Sequence, residues 1–298
     1  MSTYNGEKYI REQLDSIIAQ VGDMHAVIYV RDDGSTDATV SILEEYASAH
    51  EEIEIRIDRA SNVGASKSFL TATRECPDAD IYAYSDQDDI WMQGKLSAAV
   101  SAIKDADSPS LWVSDYSVVD NELNTIIEKA MGEPCRDQLR ALFYGHVPGC
   151  VMVFNRKLML EMRKLKIDEI RMHDVMALNV ALVTGTLIYD DRPLIKYRQH
   201  GDNVLGYGHK KIRPLKWIKD KAGLIINKEP YDTSEYACEI LRIWGEDLDS
   251  SIKDEYILIG GYRKSFIKRL ILLSRPYTKY TFGRTSVSIR CKILFGLM

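Results

Sequence analysis

Apolar and polar positions follow two regular patterns in the first part of the chain. Apolar residues recur at helical spacing over 6–20, 37–48, 65–76 and 93–104, which predicts four helices. Short apolar or alternating runs between these segments predict strands over 26–30, 53–57, 81–84 and 111–114. Strands that alternate with helices through short turns favour a Rossmann-like α/β fold with a mostly parallel sheet flanked by helices. The reason is that two parallel neighbouring strands must be joined by a crossover connection, which is usually a helix.

The second part of the chain is less regular, although both patterns continue. It predicts helices over 155–166, capped by Asn155, and over 173–183. It also predicts a turn and a strand within 147–154, a strand over 186–189 and a further extended piece over 194–198. Beyond Gly208 the sequence becomes basic, with helices predicted around 234–246 and 254–274. We therefore predict two parts, an α/β domain over 1–206 and a mostly helical extension over 207–298.

The start of the chain departs from the pattern. A doubly wound sheet normally opens with a full apolar strand, whereas only three residues precede Tyr4. We expect either a shortened first strand or a native start that lies upstream.

Composition narrows the function classes. The 298 residues are 45% apolar and 28% charged, as in ordinary soluble globular proteins, and the net charge of −5 gives no sign of a nucleic-acid partner. The five cysteines are odd in number, widely spaced and lack a C-x-x-C pair, so neither a disulfide framework nor a zinc site is indicated. With no signal peptide and no apolar run of spanning length, these features predict a cytoplasmic protein.

Three carboxylates fall within four positions in the stretch Ser-Asp-Gln-Asp-Asp-Ile-Trp over 85–91, directly after a predicted strand. Carboxylates this close repel one another unless they are solvated or a cation neutralises them. Asp86 and Asp88 form a D-x-D pair at the carboxyl end of the strand, where open α/β sheets bind ligands. Their hard oxygen atoms suit Mg²⁺ or Mn²⁺ holding a substrate diphosphate. The alternative is an acidic turn in which Asp89 caps the next helix.

Four motifs in this order resemble glycosyltransferase family 2, whose members have the GT-A fold. They are Ser-Thr-Tyr-Asn-Gly over 2–6, Arg-Asp-Asp-Gly-Ser-Thr-Asp over 31–37, Asn-Val-Gly over 62–64 and the acidic stretch 85–91. The resemblance covers roughly 1–206. It implies transfer of a sugar from a nucleotide diphosphate donor to an acceptor hydroxyl, with Mn²⁺ or Mg²⁺ as cofactor.

The same resemblance suggests which residues bind the nucleotide. Ser2 belongs to the opening motif, and Tyr4 can stack on the base, or else is an exposed loop tyrosine. Asp33, or its neighbour Asp32, can accept the N3–H of uracil or thymine and so reject cytosine, with helix capping as the alternative. Lys67 can contact a phosphate, or can lie on a solvated helix face.

The metal ligands are implied in the same way. Asp86 is expected near the ribose and Asp88 on the metal. His200 follows the last predicted strand, where relatives place a histidine that reaches back to the metal, and imidazole is an acceptable ligand for Mn²⁺. A hydrogen-bonded loop histidine is the alternative. Arg198 is predicted to pair with a phosphate or with one of the aspartates.

Asp174 is the predicted catalytic base. The family places Glu-Asp or a similar pair at the start of this helix, and here His173 stands in place of Glu, so only Asp174 is carried over. A helix N-terminus favours the ionised carboxylate and lowers its basicity, and a plain N-cap aspartate is the alternative. Gly149 and Cys150 resemble the acceptor-side loop, and we interpret Cys150 as a packing residue. Without a second nucleophile, the expected mechanism is a single displacement that inverts the anomeric centre.

Two segments look like the rhamnosyltransferase branch of the family, namely 86–91 and Tyr-Arg-Gln-His-Gly-Asp-Asn over 197–203. This implies dTDP-rhamnose as donor and a glycan or lipid-linked acceptor in the synthesis of bacterial surface polysaccharide. The alternatives are a UDP-hexose donor and a non-catalytic module that binds sugar nucleotides. A nucleotidyltransferase is not favoured, because 4–7 is not a glycine-rich phosphate loop.

The C-terminal segment 256–298 contains no Asp or Glu and carries nine Lys and Arg residues. Within 262–274, basic residues lie beside a strongly apolar helical face, which is typical of a helix in the plane of an anionic membrane. Contact of 262–298 with the inner face of the cell membrane would suit a lipid-linked acceptor. The alternative is that this segment packs on the catalytic domain.

Overall fold

The computed structural model describes residues 1–51, 53–166, 172–200, 233–279 and 284–297. These residues form two compact units. The first contains 1–136, 146–163 and 172–200, and the second contains 137–145, 164–166, 233–279 and 284–297. The predicted boundary at 206/207 and the motif residues 201–203 lie outside the described residues.

A three-stranded parallel sheet opens the first unit. Its strands, in spatial order, are β1 (Ser2–Thr3), β2 (Val27–Asp32) and β3 (Glu54–Arg59). Each is followed by a helix, α1 (Ile10–Val21), α2 (Thr39–Ala49) or α3 (Ala65–Glu75). In α1 the buried apolar residues Ile10, Leu14, Ile17 and Val21 share one face, so the helical spacing in the sequence marks the side that packs inward. The predicted alternation of strands and helices is confirmed here.

A second, six-stranded sheet is mixed. Its strands are β4 (Ile81–Ala83), β5 (Ile90–Trp91), β6 (Ser110–Val119), β7 (Thr125–Ile127), β8 (Met152–Asn155) and β9 (Thr186–Arg198). The spatial order is β4-β8-β6-β9-β5, with β7 beside β6. Among these described strands β6 and β9 pair in parallel, whereas the other pairs are antiparallel. The α/β class is confirmed, but the mostly parallel sheet holds only for the first sheet, because local periodicity does not contain the direction of long-range pairing.

Strand β6 is longer than the predicted strand 111–114, because it continues through Asp115, a charged residue whose carboxylate the fold satisfies. All ten of its residues are buried. The Asp115 carboxylate accepts hydrogen bonds from the backbone N–H groups of 130–132 at 3.0–3.1 Å and from the Tyr189 hydroxyl at 2.7 Å. Burial acts to raise the pKa of Asp115, but these hydrogen bonds hold it below its ordinary value. A buried charge is therefore tolerated in the middle of this strand.

Four more helices complete the middle of the chain, namely α4 (Lys95–Ile103), α5 (Gln138–Tyr144), α6 (Arg156–Met162) and α7 (His173–Thr184). Asn155 caps α6 as predicted, since its side-chain oxygen accepts the N–H of Leu158 at 3.0 Å. Helix α5 was not predicted. Its cap is Asp137, which accepts the N–H groups of Leu139 and Arg140.

The second unit contains the C-terminal helices α8 (Thr233–Trp244), α9 (Ser250–Gly261), α10 (Phe266–Ser274) and α11 (Arg284–Phe295). The single helix predicted over 254–274 is wrong. Two glycines end α9, a 3₁₀ turn follows, and Ser265 starts α10 by accepting the N–H of Lys268 at 3.3 Å. Of the helices that the structure describes, none has the length and apolar character needed to cross a membrane.

Candidate active site

The pairing of β5 with β9 brings the acidic stretch 85–91 against the end of β9. Ile90 lies opposite Lys196, and Trp91 lies opposite Ile195. In an antiparallel pair, the residues before one strand meet the residues after the other. The pairing therefore places 88–89 beside 198–200, two motifs that are far apart in the sequence.

Arg198 holds the acidic stretch in place and is only 1% exposed. Its backbone N–H donates to Asp89 Oδ1 at 3.1 Å, and its Nε donates to the backbone oxygen of Asp88 at 2.9 Å. The guanidinium also donates to the backbone oxygen of Asn121 at 2.9 Å and pairs with Glu12. To bind a phosphate, the Arg198 guanidinium would have to break these hydrogen bonds. We therefore interpret Arg198 as a residue that positions the acidic stretch.

Asp88 and His200, the two residues expected on the metal, contact each other directly. His200 Nε2 lies 2.7 Å from Asp88 Oδ2, and both side chains are largely shielded from solvent. The imidazole stacks on the Tyr9 ring with centroids 4.8 Å apart, and the Tyr9 hydroxyl donates to Asn121 Oδ1 at 2.9 Å. This packing orients the imidazole towards Asp88.

Asp86 lies in a crowded electrostatic environment. Burial, together with the smaller effect of the charges of Asp88 and Asp174, raises the pKa of Asp86 to about 7. The three carboxylates are therefore close enough to repel one another. The contacting pair of Asp88 and His200 offers a carboxylate oxygen and an imidazole nitrogen, donors of the kind that Mg²⁺ and Mn²⁺ accept, so this pair fits a divalent cation.

A second group of potential ligands includes Asp86 and the neighbouring Asp89. Ligand atoms of Asp86, Asp89 and Cys150 all lie within 4.8 Å of one another. Asp89 and Cys150 are each 1% exposed, and burial raises the pKa of both well above their ordinary values. A thiol that keeps its proton is a poor nucleophile and a poor ligand. This environment agrees with the interpretation of Cys150 as a packing residue.

Lys95 is a member of the site that sequence reasoning missed. It is fully buried, donates from Nζ to the backbone oxygen of Cys150 at 2.8 Å, and places Nζ 3.5 Å from the centroid of the Trp91 ring. Burial lowers the pKa of Lys95 to about 7, although the neighbouring acidic groups offset part of that effect. When the Lys95 amine is protonated, this desolvated cation–π contact contributes on the order of 2 kcal/mol. The sequence carried no signal for this contact, because Trp91 lies in β5 and Lys95 begins α4, so no helical or strand period relates the two residues.

The opening loop presents its aromatic ring to solvent. Tyr4 is 47% exposed, so its face is accessible to a planar ligand. Ser2, half-buried in β1, donates from its hydroxyl to Ser68 Oγ at 2.6 Å. Lys67 is exposed in the first turn of α3. Tyr4 and Lys67 are thus exposed to solvent, whereas the Ser2 hydroxyl is hydrogen-bonded to another residue of the protein.

Asp32 and Asp33 are both 2% exposed and are already hydrogen-bonded inside the protein. Asp32 accepts from the Thr3 hydroxyl at 2.8 Å and from both the N–H and the hydroxyl of Ser35, at 2.8 and 2.6 Å. Asp33 accepts from Arg31 at 2.6 Å and from the backbone N–H groups of 63–64 at 2.8–3.0 Å. A base N–H would have to join or displace these donors. The observed contacts favour a structural role for both residues, as the capping alternative does.

Asp174 lies in the first turn of α7 and is 3% exposed. The N-cap residue is Met172, so Asp174 is inside the helix and the plain N-cap alternative does not describe it. Beside it, His173 stacks on Phe69 with centroids 3.9 Å apart, and burial lowers the pKa of His173 to about 3, so its ring is neutral. A Cβ at Gly149 would lie 2.3 Å from His173 Nε2, which explains why the loop is small there.

Comparison with known proteins identifies relatives of this chain. The family model "Glycosyl transferase family 2" matches residues 1–161. The curated protein "dTDP-rhamnosyl transferase RfbG" of Shigella flexneri is 31% identical over 283 residues, which cover 91% of each chain. An uncharacterized glycosyltransferase of Haemophilus influenzae is 27% identical over 227 residues, covering 72% of this chain and 69% of the relative.

Solved structures share the fold at low sequence identity. S. aureus TarS 1-349 in complex with UDP-GlcNAc superposes with a TM-score of 0.59 at 16% identity, covering 100% of this chain and 80% of that chain. The mannosyltransferase PcManGT from Pyrobaculum calidifontis, in complex with GDP-Man and Mn2+, gives a TM-score of 0.50 at 20% identity, covering 99% and 85%. At these identities the likeness shows the fold alone, and it confirms the expected GT-A fold.

Proposed function

The chain belongs to glycosyltransferase family 2, and on that premise we propose that it transfers rhamnose from dTDP-rhamnose to a glycan or lipid-linked acceptor during bacterial surface polysaccharide synthesis. The observation that carries the proposal is the direct contact of Asp88 with His200, together with Asp86, which lies within electrostatic reach of both Asp88 and Asp174. The similarity to a named dTDP-rhamnosyl transferase supports the choice of donor. We assign catalysis to the domain 1–206 and treat 207–298 as an extension.

We assign metal binding to Asp88 and His200, with Asp86 beside them near the ribose. A bound Mn²⁺ or Mg²⁺ would act as a Lewis acid that neutralises the departing diphosphate. The protein supplies the geometry, because Arg198 holds the backbone of Asp88 and the Tyr9 ring orients His200. Tyr4 offers a face for the base and Lys67 offers a charge for a phosphate.

Asp174 is assigned as the catalytic base. The acceptor oxygen forms a bond to the anomeric carbon while the bond from that carbon to the diphosphate oxygen breaks, and the acceptor proton goes to the Asp174 carboxylate. Cys150 is buried and its pKa is raised, which makes it unsuitable as a second nucleophile. A single displacement of this kind inverts the anomeric configuration.

The donor proposal is tested by turnover. We expect purified protein with Mn²⁺ to release dTDP from dTDP-rhamnose faster than it releases UDP from UDP-glucose or UDP-GlcNAc, with water or a panel of glycans as acceptors. Nucleotide release is measured by chromatography. Faster release from a UDP-hexose would make the donor assignment wrong, whereas tight binding of all donors with no release would indicate a non-catalytic binding module.

We further propose that α10 contacts an anionic membrane surface. Four large apolar residues of this helix are exposed, at fractions of 40–70%, namely Phe266, Ile267, Leu270 and Ile271. Their spacing places them on one face, beside the exposed Arg263 and Lys264. Inserting such side chains into a bilayer contributes about 1.5–3 kcal/mol each when fully buried, and nearby basic residues contribute about 1 kcal/mol each.

Flotation with liposomes tests the membrane contact. We expect the protein to float with phosphatidylglycerol vesicles at low salt, and to float less with phosphatidylcholine vesicles or at high salt. The reason is that the basic residues attract the protein to anionic lipid, and this attraction is screened by salt, while insertion of the apolar side chains stabilises the bound state. Replacing Phe266, Ile267 and Leu270 by Ser should abolish flotation. The matched control is Leu160→Ser, an isolated exposed leucine in the first unit. Wild-type protein that stays with the soluble fraction on anionic vesicles at low salt would show that the proposal is wrong.

A further inference from the structure

Gln87, the middle residue of the D-x-D pair, makes two hydrogen bonds to the backbone of a single distant residue. The backbone N–H of Tyr4 donates to Gln87 Oε1 at 2.9 Å, and Gln87 Nε2 donates to the backbone oxygen of Tyr4 at 3.1 Å. A carboxylate could accept the first bond but could not donate the second, and an asparagine is one methylene shorter. The contact is therefore specific for a glutamine amide.

The loop that follows β1 depends on this contact because β1 ends before Tyr4. The last residue pair of β1 is Thr3 with Asp32, and the backbone oxygen of Thr3 accepts the N–H of Asp33 at 2.8 Å. Tyr4 is the next residue and has no ladder partner among the described strand pairs. Gln87 supplies to Tyr4 the two backbone hydrogen bonds that a neighbouring strand would otherwise provide.

The other side of the loop is held by the turn after β2. Asn5 adopts a left-handed conformation (φ 48°), donates from its N–H to Ser35 Oγ at 2.9 Å, and accepts the N–H of Thr36 at 2.8 Å. Gly6 leaves room for the amide, since a Cβ there would lie 2.3 Å from Gln87 Oε1. The loop therefore lies between that turn and the acidic stretch, with Gln87 as its link to the latter.

From this geometry we propose that Gln87 is a positioning residue that couples the base-binding loop to the metal-binding residues. The inference rests on the proposed function, in which Tyr4 stacks on the base and Asp88 binds the metal. A cation that orders Asp88 also fixes the adjacent Gln87, which fixes the backbone of Tyr4. The coupling is reciprocal, so base binding strengthens metal binding by the same factor.

Thymidine is the probe that isolates this coupling, because it has a base and no phosphate through which a metal could attract it. We expect Mg²⁺ to tighten thymidine binding by at least about fivefold in the wild type, as measured by NMR titration with this diamagnetic cation. In Gln87→Ala the enhancement should vanish while binding without Mg²⁺ persists. Gln87→Glu should keep only part of it. The control is Gln93→Ala, an exposed glutamine just beyond the stretch.

Hydrogen exchange at the Tyr4 amide provides a readout that does not depend on nucleotide binding. Mg²⁺ should slow exchange of this amide in the wild type and in Gln93→Ala, but not in folded Gln87→Ala. Mg²⁺-dependent protection without thymidine binding would support the coupling and count against the base-binding function. The inference is overturned if Mg²⁺ leaves Tyr4 exchange unchanged in the wild type, or if Gln87→Ala keeps the full enhancement.

Discussion

Replacing Asp174 by Asn is expected to lower kcat by roughly 10²–10⁴-fold, the usual contribution of a positioned general base, while donor affinity stays close to that of the wild type. The amide keeps the shape of the side chain but cannot take the acceptor proton. The loss therefore appears only in the transition state. Steady-state kinetics with dTDP-rhamnose gives kcat, and calorimetric titration with dTDP gives the affinity.

The fold should tolerate this substitution, because Asp174 contributes to the repulsion that raises the pKa of Asp86. Removing its charge relieves that repulsion, so the melting temperature should stay the same or rise. Glu235→Gln is the matched control, since Glu235 is also an acidic residue in the first turn of a helix. Full activity in Asp174→Asn, or a product with retained anomeric configuration, would refute the assignment of Asp174 and the single displacement.

Replacing Asp88 by Ala should remove metal-dependent donor binding. Loss of a residue that only supports a metal ligand typically costs 10–100-fold in metal affinity, so loss of a direct ligand should cost about 100-fold or more. His200 loses its 2.7 Å partner in the same variant. Titration of Mn²⁺, followed by dTDP binding with and without the metal, measures the effect.

Two further comparisons make this prediction specific. Chelation of the metal from wild-type protein should reproduce the donor-binding defect of Asp88→Ala, and added Mn²⁺ should reverse it in the wild type alone. Asp80→Ala is the control, because Asp80 is an exposed aspartate immediately before β4, whereas Asp88 lies between β4 and β5. If Asp88→Ala binds Mn²⁺ and dTDP as the wild type does, then the metal site is elsewhere.

Sequence reasoning identified several candidate site residues whose contacts it could not foresee. It named Asp88 and His200 from motifs, and the structure brings them together. It missed Lys95, because a lysine in a helix is usually solvated, and here the side chain is fully buried against Trp91. It offered a phosphate or one of the aspartates as the partner of Arg198. In the structure the guanidinium donates to backbone oxygen atoms and pairs with Glu12, while the backbone N–H donates to Asp89.

Local patterns in the sequence were sufficient for many elements of the fold, although they missed α5 and merged α9 with α10. Helical spacing in α1, the cap Asn155 and the acidic stretch 85–91 all depend on residues that are neighbours in the chain, so their physical causes are visible in a short window. The resemblance to family 2 likewise rests on short motifs in order. The family and the α/β class could therefore be predicted before the structure.

Long-range pairing decided the rest. The antiparallel register of β5 with β9 determines that Asp88 meets His200 and that Arg198 is buried beneath the same stretch, and no local pattern encodes that register. The same holds for Asp33, whose carboxylate is engaged by a loop thirty residues away along the chain. Only tertiary structure could decide these contacts, because a side chain's partners depend on which distant backbone packs beside it.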